Sequence, residues 1–234
     1  MREYRNHIHK SLVANADIRT KEKVLRVVPG ARVIGLSVPR LRALVAEFRR
    51  DHLDLTLDSA CELMDELCHD RWREEILFGI FLLGGFGKKV AGVAWERLES
   101  WTDALDNWET CDQLASQVSG AVVAGNLDLV DRLVALRRSD NPWKRRFVLA
   151  TALELNHKGR AHPAETLRVC ELFLADEEPT VRKALGWALK EASKKAATDV
   201  FEFLLTHRQH LPRSVLRDAA EKLTSAQKKN LGVD

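Results

Sequence analysis

Four side chains spaced along the chain have the chemistry to handle a sugar and its phosphates: Trp108, Asp112, Arg146 and Trp187. Trp108 and Asp112 stand four residues apart, so on a helix they share a face. Arg146 follows Trp108 by 38 residues, and Trp187 follows Arg146 by 41. Those intervals lie near the roughly 40–47-residue period of HEAT-type helical repeats. In such a solenoid, residues at the same place in successive repeats fall on one face. Two indoles, a carboxylate and a guanidinium would then line one concave surface. A carboxylate stabilises an oxocarbenium-like sugar and positions a water, and the electron-rich face of an indole attracts positive charge. Taken alone, Trp108 and Asp112 read as a core-edge aromatic with a solvated acid. The recurrence of Arg146 and Trp187 near the repeat period favours the site. Trp187 sits in LGWALK, where Gly186 would admit another backbone or a ligand. A glycine inside a helix costs about 1 kcal/mol relative to alanine, so its presence calls for a packing or access reason.

The charge distribution points the same way. The net charge is only +3 and the pI about 8.7, short of a strongly basic domain. Yet Arg137, Arg138, Lys144, Arg145 and Arg146 crowd one stretch, and Arg182, Lys183, Lys190, Lys194 and Lys195 another. Positive residues at a helix start oppose the macrodipole. Arg145 and Arg146, matched by Arg182 and Lys183, therefore suit phosphate contacts better than local stability. Lys144 and Lys190 belong to the same expected DNA-facing set.

The elements that must carry these residues read as helices almost throughout. PRLRALVAEFRRDH places Leu41, Leu44, Val45 and Phe48 at i, i+3, i+4 and i+7, an amphipathic helix, with Ser37 as its N-cap and Pro39 in its first turn. SACELMDELC repeats the pattern, and REEILFGIFLLGGFG is apolar all round, as a helix buried among neighbours should be. Gly84, Gly85 and Gly87 supply its C-cap and turn. KKVAGVAWERLESW, DQLASQVSGAVV and LDLVDRLVALRR continue the series, with a break at Gly125-Asn126. Pro142, Pro163, Pro179 and Pro212 each stand at the expected first turn of a further helix. SDNPWKRRFVLATALEL and ADEEPTVRKALGWALKE are the best internal match, with Arg145 and Arg146 aligned on Arg182 and Lys183. Strand signals are nearly absent and no linker divides the chain. The expected fold is all-α: a right-handed α-solenoid of HEAT-like antiparallel helix pairs, as one domain over 1–234.

Other chemistry is not favoured. Cys61, Cys68, Cys111 and Cys170 form no CxxC pair and read as buried thiols rather than a disulfide framework. GGFGKK lacks P-loop spacing, no HExxH occurs, and no hydrolase triad is evident. No metal or cofactor is expected. With a polar N-terminus and no apolar run of 18 residues, neither a signal peptide nor a membrane span is expected. The expected setting is cytoplasmic, nucleoid-associated when on DNA, and the expected state a monomer.

These residues carry a resemblance. VIGLSVPRLRALV at 33–45, DNWETCDQLA at 106–115, SDNPWKRRFVLA at 139–150 and VRKALGWALKEASK at 181–194 resemble the AlkD-like DNA alkylation repair family, the HEAT-like-repeat DNA glycosylases. The likeness extends over nearly the whole chain. It implies excision of cationic N3- and N7-alkylated purines from double-stranded DNA containing alkylated bases. Asp112 matches the family's catalytic carboxylate, Trp108 and Trp187 the aromatics that cradle the deoxyribose, and Arg146 the neighbouring backbone contact. The resemblance also implies that the base stays stacked rather than entering a pocket. Two positions depart: Asn107 stands where relatives often carry a second Trp, and Cys111 replaces a commoner aliphatic residue. Some relatives bind DNA without excision. The alternative is therefore a non-catalytic protein of this kind that binds distorted or branched DNA.

Overall fold

The computed structural model describes residues 1–233. Among them the only β contact is an isolated bridge between Arg32 and Trp72; the regular structure is helical. The fold is all-α, as expected. The helices gather into two compact units, Met1–Val122 and Val123–Asp234, so the span expected to form one domain contains an internal division. The first unit holds α1 (Arg2–Ala14), α2 (Ile18–Val27), α3 (Val38–Asp51), α4 (Leu57–Cys68), α5 (Arg73–Gly84), α6 (Trp95–Trp101) and α7 (Trp108–Leu114). The division falls within α8 (Gly120–Gly125). The second unit holds α9 (Leu129–Ala135), α10 (Pro142–Glu154), α11 (Pro163–Glu171), α12 (Pro179–Ser193), α13 (Ala197–Thr206), α14 (Arg213–Ala219) and α15 (Ser225–Leu231).

Within each unit, alternate helices stack. In the first, α5 packs on α3 and α7; in the second, α12 packs on α10 and α14. Each is also covered by an adjacent helix, α4 for α5 and α11 for α12. This neighbour-on-neighbour packing is the local pattern of a solenoid. α5 is buried from Arg73 through Leu83, its charged first turn included, which is why its sequence from Ile76 onward shows no polar face. Ser37 caps α3 as expected, accepting from the Arg40 amide at 3.4 Å. Pro142, Pro163 and Pro179 each occupy the first residue of their helices. Pro212 instead precedes α14 by one residue, as its N-cap.

Two local expectations are corrected. The single helix expected over KKVAGVAWERLESW is a 3-10 helix, Gly87–Gly92, followed by α6. Val93 and Ala94 between them are extended. The α5 stop also differs, because Gly85 at the cap is right-handed and only Gly87 takes a positive φ of 61°. Gly84 packs closely on the stretch after α7: a Cβ there would lie 3.2 Å from Gln117 Cβ.

The cysteines are unpaired in disulfides, with Cys61, Cys111 and Cys170 buried. Burial pushes the Cys61 thiol up to about 11 and raises those of Cys68 and Cys170 as well. Among the described residues no helix is long and apolar enough to cross a membrane.

Candidate functional site

In the first unit, the site is built on the start of α7. Asn107, only 2% accessible, is its N-cap. Its Oδ1 accepts from the amides of Glu109 at 3.0 Å and Thr110 at 3.1 Å, the usual way an asparagine satisfies orphan donors. Its own amide donates to Asp106 Oδ1 at 2.7 Å, which fixes which way the cap faces. Burial pushes the Asp106 carboxyl above its ordinary value, against that hydrogen bond and the nearby Arg71. Asn107, a departure from the family pattern, thus starts the helix that carries Trp108. Cys111, the other departure, is fully buried and fills a core position.

Trp108 is the first residue of α7 and is 37% exposed. Its indole N–H donates to the Val27 carbonyl at 3.1 Å, so this exposed ring is tethered. Asp112 lies one helical turn further along α7 and is half-buried. Directly after α7 the chain widens into a π-helical stretch, Ala115–Ser119, a distortion frequent at functional sites. An exposed, tethered indole one turn from a half-buried carboxylate can offer a π-face and a negative charge to an electron-poor sugar.

In the second unit, α10 and α12 lie side by side and carry the other predicted residues. Arg146 is 2% accessible. Its Nη1 donates to the Thr180 carbonyl at 2.8 Å and Oγ1 at 3.2 Å, and its Cζ lies 5.4 Å from the Trp187 ring centroid. Lys183 Nζ lies 5.1 Å from the same centroid. Trp187 is half-buried, with two protein cations inside the ~6 Å reach of a cation–π contact. Arg146, Lys183 and Trp187, singled out separately in the sequence, therefore form one cluster. Gly186 beside them is explained by packing: a Cβ there would lie 3.0 Å from Asp218 Cβ and 3.5 Å from the Val215 carbonyl oxygen of α14.

The remaining basic candidates differ in their commitments. Arg145 pairs with Asp176 at 2.7 Å and donates to the carbonyls of Ser139 and Asp140. Arg182 donates to the Asp176 carbonyl at 2.9 Å. Both therefore brace loops that precede the helices. Lys190 meets Glu221 at 3.1 Å, and hydrogen bonds from Lys222 and Lys190 hold that carboxyl down at about 2. Lys144 is half-buried on the first turn of α10. Arg182 and Lys183 also line a cavity of about 300 Å³ with Pro179, Pro212 and Ser214. Asp176 is the residue that the sequence reading missed. An acid three residues before Pro179 was visible, but its pairing with Arg145 crosses 31 residues. Among the described residues no three His, Cys, Asp or Glu side chains gather as a metal site would require.

Comparison with known proteins bears on the fold and the family. A search of curated proteins finds no match. Among solved structures, the chain is similar to a predicted DNA alkylation repair enzyme from Enterococcus faecalis, with a TM-score of 0.73 at 19% identity. That likeness spans 90% of this chain and 98% of the other, and it supports the fold. The family described as DNA alkylation repair enzyme matches from residue 8 to residue 223. Because that match spans most of the chain, the chain belongs to the family of DNA alkylation repair enzymes.

Proposed function

We propose that this enzyme is a monofunctional DNA glycosylase that removes cationic N3- and N7-alkylated purines from duplex DNA. The observation that carries the reading is the tethered, exposed Trp108 one turn from Asp112 on α7. A cationic alkylpurine is already a good leaving group, so no acid is needed to protonate it. The barrier lies in the oxocarbenium-like sugar. Asp112 stabilises that developing charge and holds the attacking water, and the Trp108 face adds cation–π stabilisation. The N-glycosidic bond breaks with its electron pair leaving on the purine, and the sugar C1′ gains the hydroxyl of water. The proton of that water passes to Asp112 or to solvent.

Trp187 takes a different part. Arg146 and Lys183 already lie against its ring, so a third cation there would be repelled. We assign this cluster to the phosphate backbone, with exposed Lys183 as the contact and buried Arg146 packed near the Trp187 ring. Lys183→Ala should then lower duplex affinity and reduce the slope of log K against log salt by about one. An unchanged slope would remove Lys183 from the interface. Selectivity would come from the charge and lability of the lesion, with the base remaining stacked.

The deciding experiment is release of 7-methylguanine and 3-methyladenine from methylated duplex DNA by the wild-type chain. Duplex binding with steep salt dependence but no released base would replace this reading with that of a non-catalytic binder of distorted or branched DNA.

A further inference from the structure

The start of α5 carries a chain of buried polar contacts that ends at Trp108. Glu74 is fully buried. Its carboxylate accepts from the amides of Ile34 at 2.9 Å, Gly35 at 3.1 Å and Leu36 at 3.2 Å. Arg73, 3% accessible, donates to Glu74 at 3.0 Å and, through Nε, to Glu109 Oε2 at 2.7 Å. Glu109 directly follows Trp108 in the first turn of α7. The segment Ile34–Leu36 is therefore linked to the first turn of α7, next to Trp108, through three side chains, Glu74, Arg73 and Glu109.

The same segment also reaches the other end of the indole. Gly35 donates to Glu74 and accepts from the Asp17 amide at 3.0 Å. Asp17 caps α2, accepting from the Thr20 amide at 2.7 Å. The last residue of α2, Val27, provides the carbonyl that holds the Trp108 N–H. Gly35 is required where the segment meets α2. Its φ is +121°, and a Cβ would lie 2.9 Å from both the Asp17 carbonyl oxygen and Lys21 Cβ. The contacts thus close a ring through α7, α5, the 34–36 segment and α2, with Trp108 held at its indole nitrogen and its neighbour Glu109 held through its carboxylate.

We propose that Arg73, Glu74 and Glu109 are positioning residues that set the Trp108 ring for catalysis, acting on the glycosylase reading given above. A Trp that only packed against the surface would need neither grip. α2 itself has no fully buried residue; Val24 and Leu25 in its last turns pack against Val28, Ala31 and Val33, and Gly35 holds its N-cap Asp17.

The test is Glu109→Gln, which keeps an oxygen to accept from Arg73 and removes the charge. The protein is labelled with 5-fluorotryptophan at its six tryptophans, and Trp108 is identified as the ¹⁹F resonance lost in Trp108→Phe. In Glu109→Gln that resonance should shift or split while the others stay in place. Single-turnover base release should fall about tenfold, as expected for a misplaced group, with duplex affinity within about twofold. In the Trp108→Phe background the same substitution should cost much less, because the two effects share one path. An unmoved Trp108 resonance overturns the proposal whatever the activity. A shifted resonance with full activity, or fully additive losses, overturns the catalytic part. If the wild type releases no base but the resonance still shifts, the glycosylase reading fails and the positioning network stands.

Discussion

Asp112→Asn should release alkylpurine from methylated duplex about 10²- to 10⁴-fold more slowly than the wild type. By the usual conversion of tenfold per 1.36 kcal/mol, that is a loss of about 3–5 kcal/mol of transition-state stabilisation. The asparagine has the shape of the aspartate, and α7 is capped independently by Asn107, so the fold should survive. What disappears is the negative charge beside the sugar and the ability to take a proton from water. Duplex affinity should stay level or rise slightly, because a carboxylate repels phosphate. A variant that binds as before and cleaves slowly places Asp112 in the chemical step. Comparable rates for the two proteins would remove it from the mechanism.

The largest loss of stability is expected from Glu74→Ala. The substitution deprives three buried amides of their acceptor and leaves Arg73 with one of its two carboxylates. Breaking a buried ion pair by removing one partner costs about 3–5 kcal/mol, and orphaned amides add to the penalty. Urea unfolding should show a midpoint shift of that size against the wild type. Glu74→Gln, which keeps one oxygen for the amides, should lose distinctly less. A loss below about 1 kcal/mol for Glu74→Ala would mean that the 34–36 segment holds itself by other contacts.

The core helices were legible because their periodicity is strong. Leu41, Leu44, Val45 and Phe48 are all buried in α3, and the prolines at 142, 163 and 179 mark true helix starts. α1 and α2 were harder to read. α1 buries only Ile8 and Leu12, and α2 buries nothing fully, so neither presents a broad apolar stripe. Of the site, residue types and one same-helix spacing were readable, Trp108 with Asp112; Lys183 and Trp187 were read apart. The partners of those residues were not readable. Val27 lies 81 residues from Trp108, and Glu109 is held from 36 residues away. Arg145 shows the converse. Its position beside Arg146 suggested phosphate binding, whereas its guanidinium is engaged with Asp176 and two loop carbonyls. Nothing local in a sequence distinguishes an arginine aimed outward from one folded back on its own loop.

The buried thiols give this chain a built-in clock for its own breathing. Cys61 and Cys111 belong to the first unit and Cys170 to the second. Only the thiolate reacts quickly with an alkylating reagent, so a sheltered thiol with a raised pKa is labelled mainly when its surroundings open. The labelling rate at Cys61 therefore reports how often one half of the protein opens, and the rate at Cys170 reports the other. Adding duplex DNA during such a pulse would show which half a ligand quiets, without any introduced probe.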